Sequence, residues 1–308
     1  MNGMYIAFAP LQGYTDAVYR RAHWECAGGV TEYYTPFVRM EKGEPRKRDM
    51  RDIAPEACVG VPTVPQVIAK DGEEFARLCD AVQALGWKRI DLNMGCPFPM
   101  QTKSGRGCGL LQYPDRIEEI AREMQSRKEV IFSVKMRLGQ ETADEGLTAM
   151  SIIKDMPLVH VTLHPRLGIQ QYKGTADKVA FGRFVEVSRW PMVYNGDLSV
   201  LKVENGELRV DALNVKSPKI KGVMIGRGLL TQPWMLSGKE PQVVLREMHG
   251  KIYQHATEHL CGKSQVIARL HAFWEYVAIG HKQHKAIMKS MTLRRYDEAV
   301  ATVFGRGN

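Results

Sequence analysis

The chain has 308 residues, of which 44% are hydrophobic and 25% charged; that much apolar side chain can bury a sizeable core and excludes a wholly disordered chain. No run of about 18 apolar residues occurs, which excludes a helix able to span a bilayer on its own. Lys and Arg number 43 against 34 Asp and Glu, a formal net charge of +9, which points to a polyanionic partner, nucleic acid first, with a solvated basic face as the alternative.

The opening segment, Met1 to Pro10, has no basic stretch ahead of its short apolar run and no evident cleavage site. We therefore expect no signal peptide and a cytoplasmic protein. Short β-rich runs follow at Tyr5–Ala9, Gly29–Tyr33, Pro65–Ile68, Arg89–Leu92, Ile131–Met136, His160–Leu163, Met192–Tyr194 and Gly222–Ile225. Between most of them lie amphipathic stretches. Glu73 to Leu85 places apolar residues at three- and four-residue steps, and Pro114 to Gln125 opens on Pro and Asp, which suits a helix start. Strands alternating with helices predict a parallel sheet, and residues 1–238 fit an α/β fold, a (β/α)8 TIM barrel. A doubly wound open sheet competes, but no GxGxxG follows the first run.

After Trp234 the pattern changes. Three helical patterns are predicted, at Gln242–Leu260, Ser264–His281 and Lys285–Val303, with Gly262 and Gly280 as helix ends. Residues 239–308 read as a small all-α helical domain. They carry 11 basic against 6 acidic side chains and six of the nine His. The six cysteines form no CxxC and no cluster with zinc-ligand spacing, so reduced thiols and no metal site are expected. A monomer is the expected state.

In a barrel of this kind chemistry sits at the C-terminal ends of the strands. Those ends hold Pro10-Leu11-Gln12, Pro65-Gln66, Asn93-Met94-Gly95-Cys96, Lys135 with Arg137, His164 with Arg166, Asn195-Gly196-Asp197 and Gly226-Arg227-Gly228. Strand alternation puts Lys135 and Arg137 on one side of an apolar strand, where a lysine is costly unless it meets an anion or a buried acid. The glycines after the seventh and eighth runs let a backbone approach a phosphate closely, and Arg227 can pair with it; plain turns are the alternative. Cys96, on a loop over the barrel mouth, is a candidate nucleophile or proton donor, with a buried filler as the bland reading and Cys108 as the rival thiol.

Taken together these residues resemble a family. Ala9-Pro10-Leu11-x-Gly13-x-Thr15-Asp16, Pro65-Gln66, Asp91-Leu92-Asn93-x-Gly95-Cys96-Pro97, Val134-Lys135-x-Arg137, His164-x-Arg166, Asn195-Gly196-Asp197 and Gly226-Arg227-Gly228 look like the signature of the tRNA-dihydrouridine synthases. Tyr172, Gly174, Ala176 and Asp177 fit its Tyr-x-Gly-x-Ala-Asp. The resemblance covers residues 5 to about 235 closely and the helical tail more loosely.

The resemblance implies an oxidoreductase that binds FMN, takes hydride from NADPH and reduces the C5=C6 bond of selected tRNA uridines. By position, Pro10, Leu11 and Gln12 would lie under the flavin ring, and Gln66 and Lys135 would meet its polar edge. His164 would help hold the cofactor, and Asn195, Gly196, Asp197, Gly226 and Arg227 would secure its phosphate. Hydride would pass from flavin N5 to C6 of uracil, and Cys96 would give the proton to C5. Asn93, Arg137 and Arg166 would meet the substrate; Arg39, Arg269 and His271 would meet the tRNA. A stacked base cannot reach a buried flavin, so the target uridine must be unstacked. The chain departs from the family's usual pattern at Leu11, at Pro165 and Leu167 around Arg166, at Cys108 and at His271. The alternatives are an FMN barrel acting on a free pyrimidine and a non-catalytic tRNA-binding protein.

Overall fold

The predicted β-rich runs all become strands, and every neighbouring pair is parallel. The computed structural model describes residues 4–198 and 217–305 and, between them, the backbone of Lys202–Glu204 and Glu207–Arg209; the first residues of the segment read for a leader lie outside the described residues. The barrel strands are β1 (Tyr5–Phe8), β2 (Glu32–Tyr34), β3 (Thr63–Val64 with Gln66–Val67), β4 (Arg89–Met94), β5 (Ile131–Gly139), β6 (Leu158–Leu167), β7 (Met192–Asn195) and β8 (Ile220–Ile225). Hydrogen bonding runs β3, β2, β1, β8, β7, β6, β5, β4 and back to β3. Pro65, lacking an N–H, splits β3 into two pieces. Thr63–Val64 pairs with β2, and Gln66–Val67 pairs with β4. The sheet therefore closes into a TIM barrel, and the doubly wound alternative, which needs open edges, is overturned.

Boundaries moved where the backbone required it. The second strand begins at Glu32 rather than Gly29, because Gly28 and Gly29 take φ of 68° and 75°, left-handed turn values that end any strand. The amphipathic stretches form helices at Gly72–Ala84 and Pro114–Ser126, within a residue of expectation. Asp71 caps the first of them, its Oδ1 accepting from the Glu74 N–H at 2.9 Å.

Among the described residues the tail holds four helices, not three: Pro241–His259, Lys263–Trp274, His281–Met288 and Leu293–Phe304. Gly262 and Gly280 begin helices, each standing as the N-cap of the helix that follows it. The third pattern divides because the Ser290 hydroxyl donates to the Ile287 carbonyl at 2.6 Å and Thr292 starts a new helix as its N-cap. No helix among the described residues is long and apolar enough to cross a membrane.

One apolar cluster runs from barrel residues such as Phe8 and Leu92 to tail residues such as Val244, Trp274 and Tyr296. At the N-terminal end of the barrel a polar plug replaces apolar packing. Tyr5 donates to Glu32 at 2.6 Å, and Tyr34 lies 3.0 Å from His160 Nε2.

Candidate active site

Register decides which polar side chains meet. Gln66 stands opposite Asp91, Asn93 opposite Lys135, Arg137 opposite His164, and Asn195 opposite Met224. At this level, at the C-terminal ends of the strands, lies a cavity of about 900 Å³. Pro10, Leu11, Gln12 and Arg39 line one side of it, with Gln66, Asn93 and Cys96 beside them. Lys135, Arg137, His164 and Arg166 line the next, and Asn195, Gly196, Asp197, Gly226 and Arg227 complete the wall. Residues spread over more than 200 positions of sequence thus share one space.

Lys135 Nζ donates to Asn195 Oδ1 at 3.0 Å, and Asn195 Nδ2 donates to the Met224 carbonyl at 2.7 Å. Burial pushes the Lys135 ammonium down to about 8, and the Arg137 charge pushes the same way. Arg137 is itself fixed: its Nε donates to the Gly95 carbonyl at 3.0 Å and its NH1 to the Leu167 carbonyl at 2.8 Å. Two cations are therefore held side by side under the cavity.

Cys96 is not on a loose loop. Its N–H and that of Gly95 both donate to Asn93 Oδ1, at 2.9 and 3.0 Å, a local turn closed by a side chain. Its carbonyl accepts from the Cys108 N–H at 3.1 Å. Burial raises the Cys96 thiol above its ordinary value, outweighing the Phe98 backbone N–H and the Arg137 and Lys135 charges, so at neutral pH it keeps its proton. Cys108 is different. It is wholly buried, does not line the cavity, and its thiol turns to the Cys96 carbonyl and Gln140. Burial pushes that thiol up to about 12. The rival thiol therefore has no access to the site.

Arg166 points along the wall. Its NH2 meets both Asp197 carboxylate oxygens at 2.7 and 2.8 Å and the Gly174 carbonyl at 2.6 Å. Its NH1 lies 2.9 Å from His164 Nε2. A guanidinium only donates, so His164 Nε2 must accept and the ring proton sits on Nδ1. Burial and the surrounding Lys135, Arg137, Arg166 and Arg227 hold His164 well below its ordinary value, hence neutral. Asp197 adopts φ of 47°, which a non-glycine residue tolerates only when held; Arg166 and the Ala176 N–H, which donates to Oδ2 at 2.8 Å, hold it. Arg166 and Asp197 thus satisfy one another while both line the cavity.

Arg269 and His271 lie away from the cavity. Arg269 NH2 meets Asp16 Oδ1 at 2.7 Å, tying a tail helix to the cap of helix Ala17–Cys26. His271 Nε2 lies 3.1 Å from Ser290 Oγ, between two tail helices. Sequence reading placed neither Tyr172 nor Tyr276 in the site, although both line it. Two guanidinium groups lie over the Tyr172 ring, Arg137 at 5.5 Å and Arg227 at 4.9 Å from its centroid. The motif around Tyr172 was a usable signal. Tyr276 had none, because it reaches the barrel mouth only through the packing of the tail, where it meets Tyr14 edge-on at 5.0 Å.

This geometry can bind a large acceptor-rich or anionic ligand and can donate a proton to it. Among the described lining residues Asp197 is the one acid, and it is already paired with Arg166. Comparison with known proteins gives a consistent result. The model of a family described as dihydrouridine synthase matches residues 7–306. The tRNA-dihydrouridine(16) synthase of Pseudomonas putida is 26% identical over 310 residues, covering 96% of this chain and 90% of its own length. The tRNA-dihydrouridine synthase B of Pasteurella multocida is 26% identical over 283 residues, covering 87% and 82%. The tRNA-dihydrouridine(16) synthase of Pseudomonas syringae is 28% identical over 238 residues, covering 75% and 73%.

Proposed function

The chain belongs to the dihydrouridine synthase family and is an oxidoreductase, and from that premise we propose that it reduces the C5=C6 bond of a uridine in tRNA, with FMN as cofactor and NADPH as reductant. The observation that carries the reading is that Cys96 lines the same cavity as Lys135 and Arg137. The residues present fit FMN. Gln66, Lys135 and His164 offer N–H donors to the acceptor edge of an isoalloxazine, and the turns at Asn195–Asp197 and Gly226–Gly228 with Arg227 suit its phosphate. Bound there, the flavin would supply the hydride that uracil receives at C6. Pro10, Leu11 and Gln12 would support the ring.

The chain's own residues do the rest. Hydride addition at C6 builds negative charge on the uracil, which Arg137 stabilises from its fixed position. Cys96 gives its thiol proton to C5. Asn93 uses one Nδ2 hydrogen on Gln66 and keeps the other for a ring carbonyl. Arg166 acts through His164 and Asp197 on the shape of the wall. Arg39 at the cavity rim, with the exposed Lys47, Arg48, Lys282 and Lys285, would meet RNA phosphates. Arg269 and His271 would serve the tRNA by fixing the helices that carry such residues. In this reading residues 1–238 do the chemistry, residues 239–308 bind tRNA, and the protein works as a cytoplasmic monomer.

The test is dihydrouridine formation on unmodified tRNA with NADPH, beside a free-uridine control. Product with tRNA alone supports the reading. Product with free uridine as well would point to a small-pyrimidine reductase, and none with either to an RNA-binding protein.

A pH effect follows from Lys135. Below pH 8 its ammonium is charged and can give the acceptor edge of the flavin ring a charge-assisted hydrogen bond; above it, binding must first recharge the amine. FMN affinity is therefore expected to fall by up to about tenfold per pH unit above 8. Lys135→Met should bind more weakly and lose that slope. Fluorescence-quenching titrations between about pH 7 and 9.5 check this; an unchanged slope in Lys135→Met would assign the titration elsewhere.

A further inference from the structure

We propose that Asp91 is a positioning residue for Cys96, acting through a chain of two side-chain amides, Gln66 and Asn93. The inference rests on the reading of Cys96 as proton donor. Asp91 is wholly buried and does not line the cavity. Its carboxylate accepts from the Ser133 hydroxyl at 2.5 Å and from Gln66 Nε2 at 2.7 Å. Gln66 Oε1 accepts from Asn93 Nδ2 at 2.7 Å. Asn93 Oδ1 accepts from the backbone N–H groups of Gly95 and Cys96 at 3.0 and 2.9 Å. The chain thus runs unbroken from a buried acid to the backbone of the reactive cysteine.

Both ends of this chain have fixed polarity. A backbone N–H only donates, so Asn93 must offer it oxygen. The Asn93 amino group must then face Gln66, which must answer with oxygen. The Gln66 amino group must in turn find an acceptor, and an ionised Asp91 can be nothing else. Burial pushes the Asp91 carboxyl up to about 6, against the bonds from Ser133 and Gln66, so it remains charged at neutral pH. Without that acceptor the Gln66 amide can turn over. Two amino groups would then face each other, or Asn93 would aim its amino group at the N–H of Cys96. Either arrangement undoes the turn that carries the thiol. The same polarity leaves each amide with one free N–H hydrogen, so the cavity floor recognises ring carbonyls and not ring amines.

The test exchanges acid and amide. Gln66→Glu sets a second acceptor against Asp91. Asp91→Asn combined with Gln66→Glu restores complementarity, since the amide at 91 can donate to the carboxylate at 66 while Ser133 still donates to its oxygen. The readout is the iodoacetamide alkylation rate of Cys96 in cofactor-free protein, followed by peptide mass spectrometry, with exposed Cys261 as reference. Gln66→Glu should raise the Cys96 rate about tenfold relative to Cys261, and the pair should return it to within about twofold of wild type. Should Gln66→Glu fail to fold, recovery of a cooperative melt in the pair supports the proposal. It is overturned if the folded single variant leaves Cys96 at its wild-type rate, or if the pair protects Cys96 no better than the single variant. A wild-type protein that makes no dihydrouridine would refute the proposed reaction and leave the alkylation result intact.

Discussion

Replacing Cys96 by alanine is expected to slow dihydrouridine formation by about 10²- to 10⁴-fold, the contribution of a positioned general acid. Burial keeps the thiol protonated, which is the state an acid needs. Without it C5 must take its proton from water, which is neither positioned nor as acidic as the thiol. The loss should fall on the chemical step and spare the fold, because the turn at 93–96 is closed by backbone N–H groups and the Asn93 side chain. Single-turnover reduction of tRNA, read by mass spectrometry of its nucleosides, separates this step from binding. Cys108→Ala is the matched control and should keep the wild-type rate, since that thiol does not reach the cavity. A Cys96→Ala protein with undiminished single-turnover rate would place the proton donor elsewhere.

Trp274→Ala should cost about 3–5 kcal/mol of stability, the usual range for emptying a large aromatic from a packed core. Trp274 is fully buried in the tail. Its indole Nε1 donates to Tyr296 Oη at 2.7 Å, and that oxygen lies 2.8 Å from His249 Nε2. Burial pushes His249 down to about 4, so it is neutral at working pH and can accept from the tyrosine. The substitution opens a cavity and breaks this relay together. Because the apolar cluster passes continuously from barrel to tail, we expect one unfolding transition at lower denaturant concentration, observed by far-ultraviolet circular dichroism and by tryptophan fluorescence. Two separated transitions would show that residues 239–308 unfold as a unit of their own.

Much of the barrel was legible in the sequence because its strands are fully buried. Burial on both faces makes such strands read as short apolar runs, and helices between them forbid any other pairing than parallel. Legible too were the chemical residues, since a lysine or arginine in such a run, as at Lys135 and Arg137, has few bland explanations. The boundaries were less legible. Nothing in Gly28-Gly29 announces that its backbone is left-handed rather than extended, and Gly262 or Gly280 can begin a helix as readily as end one. Thr292 was an available cap signal, outweighed by the apolar periodicity around it.

What the sequence determined by itself was the type of fold and the set of chemical groups, because periodicity and residue type are local properties. What only the tertiary structure decided was how those groups divide the work. Arg166 carries the same charge as Arg137 and stands at a strand end like it, yet the chain around Gly174 and Asp197 turns it into the wall. Arg269 meets Asp16 across 253 positions of sequence, and no local pattern encodes such a partner. Asp91 stands in a recognisable motif, but only the register sets it against Gln66 and Ser133. Hydrogen bonds and ion pairs need two partners at defined positions, and in a closed barrel the partner is supplied by a neighbouring strand whose alignment only folding fixes.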